Sequence, residues 1–98
     1  MPNWSEVLQE IQKRHVIAAM RQIDKEGTVP KRRNSTKFSI KEDTILYPPK
    51  YVICRAAQLA TGLTLIPNDH SGGEQSNRRL RDLGFTIVNQ PSNFAERP

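Results

Sequence analysis

The side chains best suited to chemistry in this chain gather in one short stretch, Ser71 to Leu83. Ser71-Gly72-Gly73 opens a helix whose first turn would offer free N–H groups and the positive end of the helix dipole. Both suit a phosphate, and the glycines let the backbone approach closely. Gln75, Asn77 and Arg78 follow on the polar turns. Each can form paired hydrogen bonds with a base edge in the major groove, worth about 1–3 kcal/mol of discrimination per good pair. Arg79 adds a charge for phosphate, and Glu74, three residues after Ser71, completes a capping box rather than meeting an anion.

Two more groups point the same way. Lys31, Arg32 and Arg33 begin a hydrophilic stretch that continues to Lys37, and Tyr47-Pro48-Pro49-Lys50-Tyr51 sets two rings, two prolines and a lysine at a helix start. Charge is concentrated to match. Residues 31 to 81 hold ten basic against four acidic side chains, a net +6, whereas residues 1 to 30 balance at four of each and residues 82 to 98 sum to −1. A localised excess is what a phosphate backbone selects, because each neutralised phosphate releases counterions. DNA phosphates are therefore the expected partners of Lys31, Lys37, Lys50, Ser71, Gly72, Gly73 and Arg79.

Other chemistries find little support. Asn68, Asp69 and His70 resemble a fragment of an HNH nuclease site, but the only other histidine, His15, lies in a distant helix. A metal nuclease needs ligand and base together, so no catalytic residue is assigned. No cluster of Cys and His offers four zinc ligands, and the single Cys54 sits among apolar neighbours as a buried thiol. Ser-Gly-Gly lacks the lysine partner of a nucleotide-binding loop. Neither a metal nor a cofactor is expected.

These groups require elements to hold them. Apolar residues recur at helical spacing from Trp4 to Ile23, after an Asn3/Glu6 capping pair, and predict a first helix over 4–25 that Gly27 ends. Phe38 and Ile40, then Thr44 to Tyr47, predict a hairpin within the segment 31–47. Pro48 and Pro49 preset a second helix over 49–61, closed by Gly62. The polar helix spans 72–83 with Leu80 and Leu83 as its apolar anchors, Phe85 to Val88 form a strand within 85–89, and the remaining tail shows no pattern. At 98 residues and +5 overall, the reading is a single α+β, mostly helical domain over 1–98, with three helices, a winged-helix-like outline, a short β-hairpin and a C-terminal strand. Neither an 18-residue apolar run nor a basic-then-apolar leader is present, so the expected location is the cytoplasm.

Tyr-Pro-Pro-Lys-Tyr-Val-Ile (47–53), the alanine-rich helix after it, and Ser-Gly-Gly-Glu-Gln-Ser-Asn-Arg-Arg-Leu-Arg-Asp-Leu-Gly-Phe (71–85) together resemble the sulfur-binding domain of phosphorothioate-dependent, McrA-type restriction endonucleases. The resemblance spans roughly residues 28–89. It implies a module that binds double-stranded DNA in which sulfur replaces a non-bridging phosphate oxygen, while a linked HNH nuclease domain cuts; self-pairing as a homodimer is compatible with it. Sulfur accepts hydrogen bonds poorly, so an apolar notch desolvates it at little loss. An ordinary oxygen there would forfeit about 1–3 kcal/mol. By this resemblance the notch is assigned to Tyr47, Pro48 and Tyr51, the last standing where the family commonly has a small side chain. A cation beside it is assigned to Arg33, then Arg32. On this view, replacing Tyr47 or Pro48 mainly removes sulfur preference. The alternative reading is a winged-helix-type DNA-binding regulator or interaction domain without sulfur selectivity.

Overall fold

Ile11 and Gln12 divide the first expected helix in two. The structure is a computed structural model that describes residues 4–31, 33–62 and 74–97. Helix α1 covers Trp4–Glu10 and α2 covers Lys13–Glu26. Between them Gln12 is extended (φ −106°, ψ 166°), and its N–H donates to His15 Nδ1 at 2.9 Å. Ile11 is fully buried. Both helices turn their apolar faces into one core, so the periodicity runs on through the break. Glutamine and histidine are poor advertisements for a cap, and the residue pattern alone reads as one helix.

The core is a helical layer against a small sheet. Helix α3 spans Pro49–Thr61, the expected element, with Gly62 in the left-handed conformation at its end (φ 78°). It packs on α2 through Val52, Ile53, Ala56 and Ala57 against Val16, Ala19, Met20 and Ile23, all with no exposed surface. Alanines at this contact let the two backbones come close. Each large aliphatic side chain buried here contributes about 1.5–3 kcal/mol. Helix α4 spans Glu74–Asp82 and packs on α1, α3 and the strand that follows it.

Strands β2 (Ser39–Glu42) and β3 (Ile45–Tyr47) form the expected hairpin, with Ile40 opposite Tyr47. Its turn is two residues long, and Asp43 adopts a positive φ of 53°. Strand β4 (Thr86–Val88) pairs antiparallel with the other side of β2, giving the order β3-β2-β4. Two features depart from expectation. The described residues hold four helices rather than three. The tail also has a partner: β5 (Ala95–Arg97) runs parallel to β1 (Thr28–Pro30), just after α2. Strands of three residues have too short a pattern to be seen in sequence, and parallel pairing joins segments that only the fold brings together. Among the described residues no helix is long and apolar enough to cross a membrane.

Candidate nucleic-acid interface

Helix α4 has two faces with different tasks. Gln75, Arg78, Arg81 and Asp82 are exposed and recur at helical spacing along the outer side. Ser76 (0% exposed), Asn77 (6%) and Leu80 (0%) form the inner side. Asn77, expected to read base edges, therefore points into the protein. Its Oδ1, with Ser76 Oγ and Arg79 Nε, is buried without a hydrogen-bond partner among the described residues. A small amide can be turned inward by a neighbouring apolar anchor, and here Leu80 three residues on fixes the helix rotation. Two of the three expected base readers, Gln75 and Arg78, remain outward.

Arg79 is likewise redirected from phosphate to backbone. Its Nη2 donates to the carbonyl oxygen of Ile11 at 2.8 Å, with a longer contact to that of Gln9 at 3.4 Å. Those carbonyls lie at the end of α1, where a helix leaves acceptors unsatisfied and a cation is favoured. The guanidinium thus straps α4 to the α1–α2 corner. Ser71, Gly72, Gly73 and Arg32 lie outside the described residues, as do Asn68, Asp69 and His70.

The basic stretch after β1 is a braced loop. Lys31, Arg33 and Lys37 are exposed, and the polar residues among them do the bracing. Asn34 Nδ2 donates to the Phe94 carbonyl at 2.8 Å, and the Phe94 N–H donates back to Asn34 Oδ1 at 3.0 Å. The Ser35 N–H donates to Ser92 Oγ at 2.7 Å, and the Ser92 N–H donates to the Ser35 carbonyl at 3.0 Å. Sequence reasoning does not single out Asn34 or Ser92. The hint available is only that Asn and Ser among lysines favour turns. Their partners lie some sixty residues away and carry no local signal.

The Tyr47–Tyr51 corner differs most from its expected form. Tyr47 is 1% exposed and Pro48 lies below 2%, so neither forms an open apolar notch. The Tyr47 hydroxyl donates to Asp24 Oδ1 at 2.6 Å, and its ring lies 5.2 Å from that of Phe94. Burial, reinforced by the bond to Asp24, raises the hydroxyl pKa well above the usual tyrosine range. The physical reason is the strand period: Tyr47 pairs with the fully buried Ile40 and shares its inward face. Tyr51 and Lys50 are half-buried. Tyr51 is engaged by Arg55, whose guanidinium stacks 5.1 Å from the ring centre and donates to its hydroxyl at 2.5 Å.

Of the expected site residues that are described, those left exposed with a positive charge fall in two groups, the outer side of α4 and the 31–37 loop, joined by the β2–β4 pair. Lys37 lies two residues before Ser39, which pairs with Val88, and Arg81 lies five before Thr86, the partner of Lys41. Among the described residues no three of His, Cys, Asp or Glu gather as a metal site. A family model described as ScoMcrA-like, N-terminal head domain, matches residues 9–89. No curated protein and no solved structure matches the chain.

Proposed function

The chain belongs to the ScoMcrA-like N-terminal head-domain family of DNA-targeting modules in modification-dependent restriction proteins, and we propose that it targets duplex DNA carrying phosphorothioate linkages. The observation that supports duplex targeting best is the division of α4. Leu80 and Arg79 hold the helix by its inner side, leaving Gln75, Arg78 and Arg81 exposed on the outer side, with Asp82 among them. A helix held in this way can enter a major groove with polar side chains foremost. Arg33, Lys31, Lys37 and Lys50 would follow the flanking backbone. Specific recognition and cleavage are separate tasks in this reading: the head domain binds, and a linked HNH nuclease domain cuts.

Sulfur selectivity rests on the resemblance of 47–53 and 71–85. With Tyr47 and Pro48 turned inward, the thio-substituted phosphate would meet the surface part of the corner, the ring of Tyr51 and the stem of Lys50, with Arg33 as the cation. A second reading, duplex binding without sulfur selectivity, is favoured by the near-complete burial of Tyr47 and Pro48. The two separate in one measurement. Binding is compared by fluorescence anisotropy for a duplex with a single Rp phosphorothioate and for its all-oxygen twin. Desolvation of about 1–3 kcal/mol predicts a ~5- to 150-fold preference for the modified duplex. Equal affinities would remove sulfur selectivity and leave DNA targeting intact; no binding to either would remove both.

A further inference from the structure

The first thirty residues are neutral in sum, but the fold separates their charges. Asp24 and Glu26, the acids of α2, sit at its C-terminal end and are occupied there. Asp24 accepts from Tyr47 and Arg21, and Glu26 pairs with Arg55 and Arg97. The opposite end is different. Lys13 and Arg14 open α2, both exposed, with no acid in that first turn. Every ion pair among the described residues involves Arg21, Arg55 or Arg97, so Lys13, Arg14, Arg78 and Arg81 have no ion-pair partner among the described residues. Glu6, Glu10 and Asp82 are the described exposed acids on α1 and α4, three against the four cations Lys13, Arg14, Arg78 and Arg81, so the described charges there still sum positive.

The corner is also where α4 is strapped down. Arg79 reaches the carbonyl of Ile11, two residues before Lys13. Lys13 Nζ lies 6.0 Å from the centre of the Phe85 ring and 3.9 Å from where a Cβ on Gly84 would stand. Gly84 in turn donates its N–H to the Arg81 carbonyl at 2.9 Å. Lys13 thus adjoins the Gly84–Phe85 turn that follows α4. Two cations at the positive end of a helix are unfavourable on their own account, since that end prefers anions. A polyanion at the corner would relieve this repulsion.

We infer that Lys13 and Arg14 are phosphate-contacting residues, extending the DNA-binding surface from the outer stripe of α4 onto the N-terminal turn of α2. This rests on the DNA-targeting reading, and it adds to that surface two cations from the electrically balanced third of the chain. The turn is preorganised for the role, because Ile11 is anchored in the core and the Gln12 N–H is tied to His15.

The test uses the full chain with the single-phosphorothioate duplex and its all-oxygen twin. Anisotropy titrations from 50 to 200 mM salt compare the parent with the double variant Lys13→Gln/Arg14→Gln, the single variant Arg14→Gln, and Lys25→Gln at the other end of α2. Two lost contacts should flatten the slope of log affinity against log salt by about 1.8, and one by about 0.9, on both duplexes alike. Lys25→Gln should leave the slope unchanged. Thermal midpoints that do not fall in the double variant would exclude misfolding as the cause. A parent that binds while the double variant keeps the parental slope overturns the inference alone. A parent that binds neither duplex overturns the DNA-targeting reading, and the inference with it.

Discussion

The Tyr47–Tyr51 corner and helix α4 are the two segments whose residue types suggest a DNA-reading surface, and the fold treats them oppositely. The corner is drawn inward by its strand: Tyr47 continues the inward face of β3 opposite Ile40, and its hydroxyl finds Asp24. Helix α4 is held by one edge and keeps Gln75, Arg78 and Arg81 in solvent. Large rings gain more from burial than short polar side chains lose from exposure, so an aromatic-rich corner is the part a small fold spends on stability. A motif of surface chemistry and a motif of core packing can therefore read alike in sequence.

The sharpest way to break this contrast is to truncate each segment and ask whether stability or binding suffers. Tyr47→Ala removes a fully buried ring and leaves Asp24 Oδ1 without its donor. It should lower unfolding free energy by about 3–5 kcal/mol, while Tyr47→Phe, losing only the hydrogen bond, should lower it by about 1 kcal/mol. Urea titration distinguishes the two. A Tyr47→Ala protein as stable as the parent, but altered in sulfur preference, would return the corner to the surface role that its sequence suggests.

Within α4 the same contrast holds over a single residue step. Arg79→Met should destabilise by about 1–3 kcal/mol, because the charge-assisted bond to the Ile11 carbonyl is lost and the α1–α2 corner loosens. Arg78→Gln should alter stability by less than about 0.5 kcal/mol and instead relax preference for the base it reads by about 1–3 kcal/mol. Melting curves and competition binding across duplexes with varied flanking bases check this pair. Reversed outcomes would mean that α4 is rotated about its axis, with Arg78 on the inner side and Arg79 facing the DNA.

The smallest effect concerns the occupied end of α2. The hydrogen bond from Arg55, with further attraction from Arg97, lowers the pKa of Glu26 below its ordinary value. A depressed carboxyl pKa stabilises the fold at pH above the unfolded value, and that contribution disappears as pH falls through the folded one. Glu26→Gln should therefore cost about 0.5 kcal/mol near neutrality, since the carboxylate is exposed and screened. The variant and the parent should converge in acid. A pH series of thermal melts reads this directly, and a gap that widens toward low pH would contradict the sign.

The sequence by itself determined the second and third expected helices, α3 almost to the residue, because Pro49 and Gly62 punctuate a strong apolar stripe. It determined the hairpin too, whose alternation is local, and the regional charge excess. The two resembling segments, 47–53 and 71–85, led to the family that the match over residues 9–89 bears out. Only the tertiary structure decided which members of those segments face water. Tyr47 and Arg79 are turned inward by partners at Asp24 and Ile11, Asn77 by the packing of α4 through Leu80, and neither the break at Ile11 nor the β1–β5 pair has a signature of its own. Periodicity reports which side of an element is apolar, a property of neighbours in the chain. Burial of a polar or amphipathic side chain depends on what another part of the chain brings to meet it, and at separations of roughly twenty to seventy residues that is a property of the fold.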